Sequence, residues 1–408
     1  MNLKLNSEFG TLKAVLTHQP GREIDRLTPY NIKEYLFEDV PYLEGVQEEH
    51  KEFTNLISQS CGAKIYRLKD LLIDIFIDDD LLLKCFQDAL KRSSHARLAE
   101  EIIDRFSTAE CANAMIGGLK VREIKHRIKT TTLKNESDST FLIHPLPNLY
   151  FMRDPAAITP GGVICSRMKT KARHREAAIL RNVFEHHPDF KEHFVPVFDG
   201  GEFTFDDDKP CIEGGDVIVL SSKALAVGNS ERTDESAIKE LARNLFKNSS
   251  VERVYQVNLP HKRNFMHLDT VFTIIDENLV VTYPDALEAI LETKVYRADE
   301  KGVSGEMSIV TETVKEDFVS VLKNEIDHLE VISTGDGNPD YASREQWYDG
   351  ANVFAIGPRR VISYNRNKHT NRALREAGVD VLEVRSAELS RGLGGPRCMT
   401  MPLWRQDF

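Results

Sequence analysis

No apolar run in this 408-residue chain approaches the roughly eighteen residues needed to cross a bilayer. The best candidate, residues 71–83, is broken by Asp74 and by Asp78, Asp79 and Asp80. The first ten residues contain no apolar core, so no secretory signal peptide is expected. Positive charge is in short supply: 53 Lys and Arg face 64 Asp and Glu, for a net charge of −11. Nucleic acid and anionic membrane surfaces are therefore poor partners. Cysteine is sparse: Cys61, Cys85, Cys111, Cys165, Cys211 and Cys398. None forms a Cys-x-x-Cys pair and none has zinc-like spacing to histidine, which argues against a metal centre and against a disulfide framework. A reducing, cytoplasmic setting fits best. The remainder, 41% hydrophobic and 29% charged, is the balance of an ordinary soluble enzyme.

What is present is a repeat. A short polar motif precedes two apolar runs around a turn, then a helical stretch, then a third apolar run. One copy starts at Arg153-Asp-Pro, with strands at 156–159, 163–166 and 193–198 and a helix over 170–185. A second starts at Gly214-Gly-Asp, with strands at 217–220, 224–227 and 251–257 and a helix over 235–246. A third starts at His267-Leu-Asp, with strands at 271–275, 279–283 and 329–333 and a helix over 314–323. A fourth starts at Asp349-Gly-Ala-Asn, with strands at 353–356, 360–364 and 379–384 and a helix over 371–377. A fifth arises only by joining the two ends: 398–403 pairs with 12–17, followed by a helix over 44–58 and a strand over 63–68. Radial repetition with paired ends protects sheet edges. Residues 72–140 fall outside the repeat. Leu81, Leu82, Phe86 and Leu90, then Leu98, Ile102, Ile103 and Phe106, recur at helical spacing, so a helical insertion is expected there, beside a propeller of 1–71 and 141–408.

The repeat sets Asp154, Glu213 with Asp216, His267 with Asp269, Asp349 and Cys398 at equivalent places near one end of the pseudo-symmetry axis. A thiol, an imidazole and several carboxylates then share one pocket, which suits chemistry on a cationic carbon. A guanidinium is planar and permanently charged, so carboxylates placed edge-on bind it strongly and directionally. Asp154 and Asp269 are the expected clamp. Cys398 supplies a soft nucleophile, and His267 an acid for the departing nitrogen and then a base for water. Glu213 orients the imidazole and favours its charged form. Arg173 and Arg232 are candidates to grip a substrate carboxylate. Gly392, Gly394 and Gly395 permit a loop that could close over the site.

These motifs resemble those of the arginine deiminases, within the guanidino-group-modifying (pentein) enzymes. The likeness runs from Pro20-Gly-Arg-Glu-Ile24 through Asn148-Leu-Tyr-Phe-Met-Arg-Asp154, Glu213-Gly-Gly-Asp216 and Met266-His-Leu-Asp269 to Cys398-Met-Thr-Met-Pro402. The resemblance implies an α/β propeller of five blades with a helical insertion. It also implies hydrolysis of L-arginine to L-citrulline and ammonia through an S-alkylthiouronium on Cys398, with no cofactor. It assigns catalysis to Cys398, His267, Glu213, Asp154 and Asp269, and substrate binding to Asn148, Phe151, Arg173 and Arg232; Asp216 is expected beside them. A homo-oligomer, dimer or tetramer, is expected. Two positions depart from the family pattern: Leu393 stands where many relatives carry a basic residue, and Tyr348 where many carry asparagine. Competing readings are an amidinotransferase using the same thiol and histidine, and an arginine-binding protein without turnover. A papain-like protease is disfavoured because histidine precedes cysteine.

Overall fold

The structure, a computed structural model, describes residues 3–128, 132–200, 209–299 and 308–407. Five sheets share one plan: an antiparallel pair, then a third strand parallel to the second of that pair and reached through a helix. A parallel partner cannot be reached by a tight turn, so each blade needs its helical crossover. The strands are Ala156–Thr159, Gly162–Cys165 and Pro196–Asp199 in one blade; Val217–Ser221, Ala224–Asn229 and Arg253–Asn258 in the next; then Phe272–Asp276, Leu279–Thr282 and Glu330–Ser333; then Phe354–Gly357, Arg360–Tyr364 and Asp380–Val384. The fifth blade joins the chain ends as expected. Met401–Gln406 runs antiparallel to Thr11–Thr17, with Leu16 opposite Met401, and Lys64–Arg67 runs parallel to it, with Ala14 opposite Lys64.

Local sequence explains the layering. Inner strands such as Val217–Ser221 are buried on both faces, which is why they read as unbroken apolar runs. The crossover helices are apolar on one stripe: Glu235–Asn248 buries Ala237, Ile238, Leu241, Ala242 and Leu245. The helix Leu43–Cys61 stops at Gly62, whose φ of 65° closes its last turn.

Three differences from the expected elements have physical causes. The helix placed at 314–323 is Phe318–Glu325, because Asp317 caps it by accepting from Ser320 N–H. Val314 instead ends a strand: Thr293–Ala298 and Ile309–Val314 widen the Val217–Asn258 sheet to five strands. The helix placed at 170–185 begins at His174, after a tight turn over Lys171–Arg173. The last strand starts at Met401 rather than 398, which leaves Cys398 in the preceding turn.

Residues 68–124 are largely helical, in the segments Leu68–Ile75, Asp79–Lys91, Ala99–Ile103, Thr108–Gly117 and Val121–Ile124. Residues 129–131 of the expected insertion lie outside the described residues. Asp78 caps the second of these helices, accepting from Leu81 N–H at 3.0 Å, and Ser107 with Glu110 forms a capping box on the fourth. Phe86, Leu90, Ile102 and Met115 share one apolar cluster with Ile164, Leu180 and Leu403 of the blades. Arg175 fastens the two regions, donating to the carbonyls of His144 and Met115 at 2.9 and 2.7 Å.

The paired ends yield a direct test. Leu403 is fully buried in that shared cluster. Leu403→Ala should cost about 3 kcal/mol of unfolding free energy in a denaturant titration, as for other buried leucines. A cost below about 1 kcal/mol would mean that the 401–406 strand is not an integral part of the sheet.

Candidate active site

Each of the five polar motifs ends just before the first strand of its blade, so all five turns lie at the same end of the sheets. A closed circuit of hydrogen bonds joins them. Arg153 N–H donates to the carbonyl of Cys398 at 3.0 Å, and Gly214 N–H to the carbonyl of Asp154 at 2.9 Å. Leu268 N–H donates to Asp216 Oδ1 at 2.9 Å. The Asn352 side chain donates to the carbonyl of Asp269 at 3.0 Å, and Cys398 N–H returns to Asn352 Oδ1 at 3.0 Å.

Within the ring of turns lies a small cavity lined by Asn148, Phe151, Asp154, Arg173, Arg232, His267 and Cys398, together with Leu36, Arg263, Met266, Thr270 and residues 392–394. Its free space is about 20 Å³, room for one water and little more.

His267 Nε2 meets Glu213 Oε2 at 2.9 Å, and its Nδ1 lies 3.7 Å from Asp154 Oδ1. Burial works against the imidazolium, but Asp154, the Glu213 bond and Asp216 outweigh it and raise the pKa to about 9. At neutral pH His267 is charged. Glu213 is fully buried; desolvation opposes its ionisation, yet Arg232 and His267 bring it down to about 2. Its other oxygen accepts from Lys169 N–H at 2.9 Å.

The two expected clamp carboxylates are arranged alike. Asp154 Oδ2 accepts from Arg173 Nη1 at 2.6 Å, and Asp269 Oδ2 from Arg397 Nη1 at 2.8 Å. The second oxygen of each, Asp154 Oδ1 and Asp269 Oδ1, is buried with no hydrogen-bond partner among the described residues. Orphaned buried carboxylate oxygens are costly, and a site for a cation explains their persistence. Cys398 Sγ lies 3.6 Å from Asp269 Oδ2. Burial, then Asp269, Asp154 and Asp349, push the Cys398 thiol well above its ordinary range, so the thiol is neutral at physiological pH.

The remaining expected residues divide. Asn148 donates to the carbonyl of Tyr35 at 2.7 Å, and Phe151 packs against Tyr150 with ring centroids 4.0 Å apart. Arg173 lines the cavity, but most of its fork is committed to Asp154, to Glu176 at 2.8 and 3.0 Å, and to the carbonyl of Asn148. Arg232 Nη1 lies 3.7 Å from Glu213, and its Nε makes no hydrogen bond among the described residues. Asp216 does not line the cavity. It stands behind His267, with Oδ1 on Leu268 N–H and Oδ2 on the Ser230 hydroxyl at 2.7 Å. The glycines at 392 and 394 serve close packing: a Cβ would come within 2.0 Å of the Tyr150 hydroxyl at 392 and 2.2 Å of the Phe151 ring at 394. Leu393 between them takes the left-handed conformation, φ 57°, and lines the cavity.

Arg397, Glu176, Arg263, Glu8 and Asn352 were not expected. Arg397 adjoins Cys398 in sequence, and Arg263 stands four residues before His267, so position alone could have flagged both. Glu8 had no signal: it reaches the base of the site from the N-terminal segment to pair with Arg397 at 2.9 Å. Burial opposes its charge, but Arg397 and Arg153 hold it at about 2. Among the described residues, no group of three or more His, Cys, Asp and Glu is placed to hold a metal ion, and no helix is long and apolar enough to cross a membrane.

The comparisons agree in direction. A sequence model described as arginine deiminase matches residues 33–405. Arginine deiminase of Limosilactobacillus reuteri is 38% identical over 414 residues, covering 100% of this chain and 98% of the relative. Arginine deiminase 1 of Staphylococcus epidermidis is 36% identical over 416 residues, covering 100% and 99%. The fold matches the N-terminal domain of ArgZ, an arginine dihydrolase from cyanobacteria solved with bound product, with a TM-score of 0.55 at 14% identity, covering 96% of this chain and 97% of that one.

The charged imidazole carries a pH prediction. Its pKa is about 9 in the folded protein, against about 6.5 in an unfolded chain. Its stabilising contribution is thus complete below about pH 6.5 and is lost as pH rises through 9. Histidine NMR should show one resonance titrating near pH 9. Glu213→Gln should move that midpoint down by at least about one unit and flatten the decline in stability. A wild-type midpoint near 6.5 would rule out the charged pair.

Proposed function

Because the chain belongs to the arginine deiminase family, with a match over most of its length, we propose that it hydrolyses L-arginine to L-citrulline and ammonia. The pair of buried carboxylate oxygens that accept no hydrogen bond among the described residues, Asp154 Oδ1 and Asp269 Oδ1, supports this reading beside Cys398 Sγ. A guanidinium set between them accounts for both. Arg173 and Arg397 each hold one oxygen of a clamp carboxylate and turn the other toward the substrate.

The chemistry follows from the charges. The guanidinium offsets the carboxylates that suppress the thiol, so binding lowers the pKa of Cys398 and its proton is released to solvent water. His267 is already charged and does not need to take that proton. The thiolate attacks the guanidinium carbon, forming a C–S bond. His267 protonates the departing nitrogen, the C–N bond breaks, ammonia leaves, and an S-alkylthiouronium remains on Cys398. The neutral imidazole then takes a proton from water as its oxygen bonds to the same carbon. As that adduct collapses the C–S bond breaks, the hydroxyl proton passes to the departing sulfur, and citrulline and the Cys398 thiol are left. Glu213 stabilises the imidazolium in both halves. No cofactor is required by this sequence of steps.

Arg232 is the main candidate for the α-carboxylate, since it lines the cavity and its Nε makes no hydrogen bond among the described residues, although Glu231 Oε1 lies 3.4 Å away; Arg173 has a single N–H to spare. Asn148 and Phe151 wall the pocket, and Asp216 acts by holding the turn that carries His267. A reducing cytoplasm suits an enzyme whose six cysteines are all free. A homo-oligomer is its proposed assembly.

Cys398→Ser should retain the fold by circular dichroism and release no citrulline above background, since a neutral hydroxyl is a far weaker nucleophile. Retained turnover would eliminate the covalent route. Ammonia release with no added amine separates hydrolysis from amidino transfer.

Asp269→Asn should lose about 3–5 kcal/mol of transition-state stabilisation, several hundred-fold or more in kcat/KM. Agmatine, which lacks the carboxylate, should be a very poor substrate, and the gap between arginine and agmatine should narrow in Arg232→Lys. Equal wild-type turnover of the two would remove Arg232 from carboxylate recognition.

A further inference from the structure

Asn352 stands in the turn before the strand Phe354–Gly357, and its side chain is fully buried. One planar amide there contacts two parts of the site. Oδ1 accepts from Cys398 N–H at 3.0 Å, and Nδ2 donates to the Asp269 carbonyl at 3.0 Å. Its backbone is committed as well: its N–H donates to the Asp349 carbonyl at 3.0 Å, and its carbonyl accepts from Arg397 N–H at 3.3 Å. The amide leaves no slack. A Cβ at residue 395 would lie 2.6 Å from Oδ1, so glycine at that position lets the amide seat.

We infer that Asn352 is a positioning residue that fixes the Cys398 thiol relative to the Asp269 carboxylate, and so decides whether a guanidinium held by Asp269 presents its carbon to Sγ. The residue type follows from the geometry. The position needs a donor and an acceptor on one rigid, short group. Aspartate keeps the acceptor, loses the donor and sets an oxygen against a carbonyl. Serine is too short to bridge both. An added carboxylate would also join Asp269, Asp154 and Asp349, the groups that already hold the thiol neutral. The inference rests on the proposed guanidine chemistry, yet it concerns the alignment of two groups and can be tested apart from turnover.

The test uses full-length Asn352→Asp and Asn352→Ser, with two alkylating probes of Cys398. A haloacetamidine carries an amidinium that must seat on the carboxylates to reach Sγ; iodoacetamide is neutral and needs only an accessible thiolate. Dividing one rate by the other removes any change in thiol pKa. In both variants the haloacetamidine to iodoacetamide ratio should fall at least about 30-fold, and kcat for arginine should fall more than KM rises, as expected when reacting groups are misplaced by a fraction of an ångström to an ångström. Melting temperature is measured alongside, and the serine variant serves if the aspartate variant does not fold. An unchanged ratio in a folded variant overturns the inference, as does wild-type kcat. If wild-type protein releases citrulline and the ratio does not move, the positioning role fails while the activity stands. If the ratio collapses but wild-type protein releases none, the alignment stands and the proposed reaction fails.

Discussion

Five buried hydrogen bonds, each passing from one turn to the turn of a neighbouring blade, link the segments that carry Cys398, Asp154, Glu213, His267 and Asp269. The circuit runs through Cys398, Arg153 and Asp154, Gly214 and Asp216, Leu268 and Asp269, and Asn352, and returns to Cys398. Each bond alone contributes only about 1 kcal/mol net, but breaking one strands a buried polar group at a larger cost. The circuit therefore favours a single arrangement. It also explains why the site residues are so far apart in sequence: each blade supplies one turn, and the site is what the turns enclose.

The charge inside that ring is deliberately incomplete. Asp154, Glu176, Glu213, Asp216, Asp269 and Asp349 are buried against Arg173, Arg232, Arg397 and His267. Burial in this crowd raises the pKa of Glu176 and of Asp216 to about 7, and three further groups move the same way. Burial and Asp269 raise the pKa of Asp349, burial raises that of Asp269 despite Arg397, and burial with the neighbouring carboxylates raises that of the Cys398 thiol. A cation of the right shape relieves all three. Burial and the same carboxylates keep the thiol protonated, and a protonated thiol reacts slowly with oxidants.

The repeat was legible because a polar motif followed by a hairpin and an amphipathic helix is a local pattern, and because Cys398, His267 and Asp154 sit in short motifs at its start. Even the blade made from both ends could be read, since 12–17 and 398–403 each lacked a partner, although the strand itself begins three residues later. What escaped was whatever depends on long-range geometry. Glu8 is one acidic residue in a polar segment, and nothing local says that it will be buried under Arg397. Asp216 shares a motif with Glu213, yet the tight turn Gly214–Asp216 aims the two carboxylates differently, one at the imidazole and one at the backbone behind it. The glycines at 392 and 394 suggested mobility, but their requirement comes from Tyr150 and Phe151, more than 230 residues earlier in the chain. The extra strands Thr293–Ala298 and Ile309–Val314 are partly exposed, and their periodicity is too weak to mark them.

The pairing of Thr11–Thr17 with Met401–Gln406 has a kinetic side. Four blades are made of nearby segments and can form from contacts of short sequence separation. The blade next to Cys398 depends on two strands at opposite ends of the chain, a contact of very high order and large closure entropy. The circuit of turns stays open until those strands meet. The same strand carries Met401 and Leu403 into the core shared with the helical segment, so one late-synthesised stretch both completes the ring around Cys398 and seals the packing beneath it.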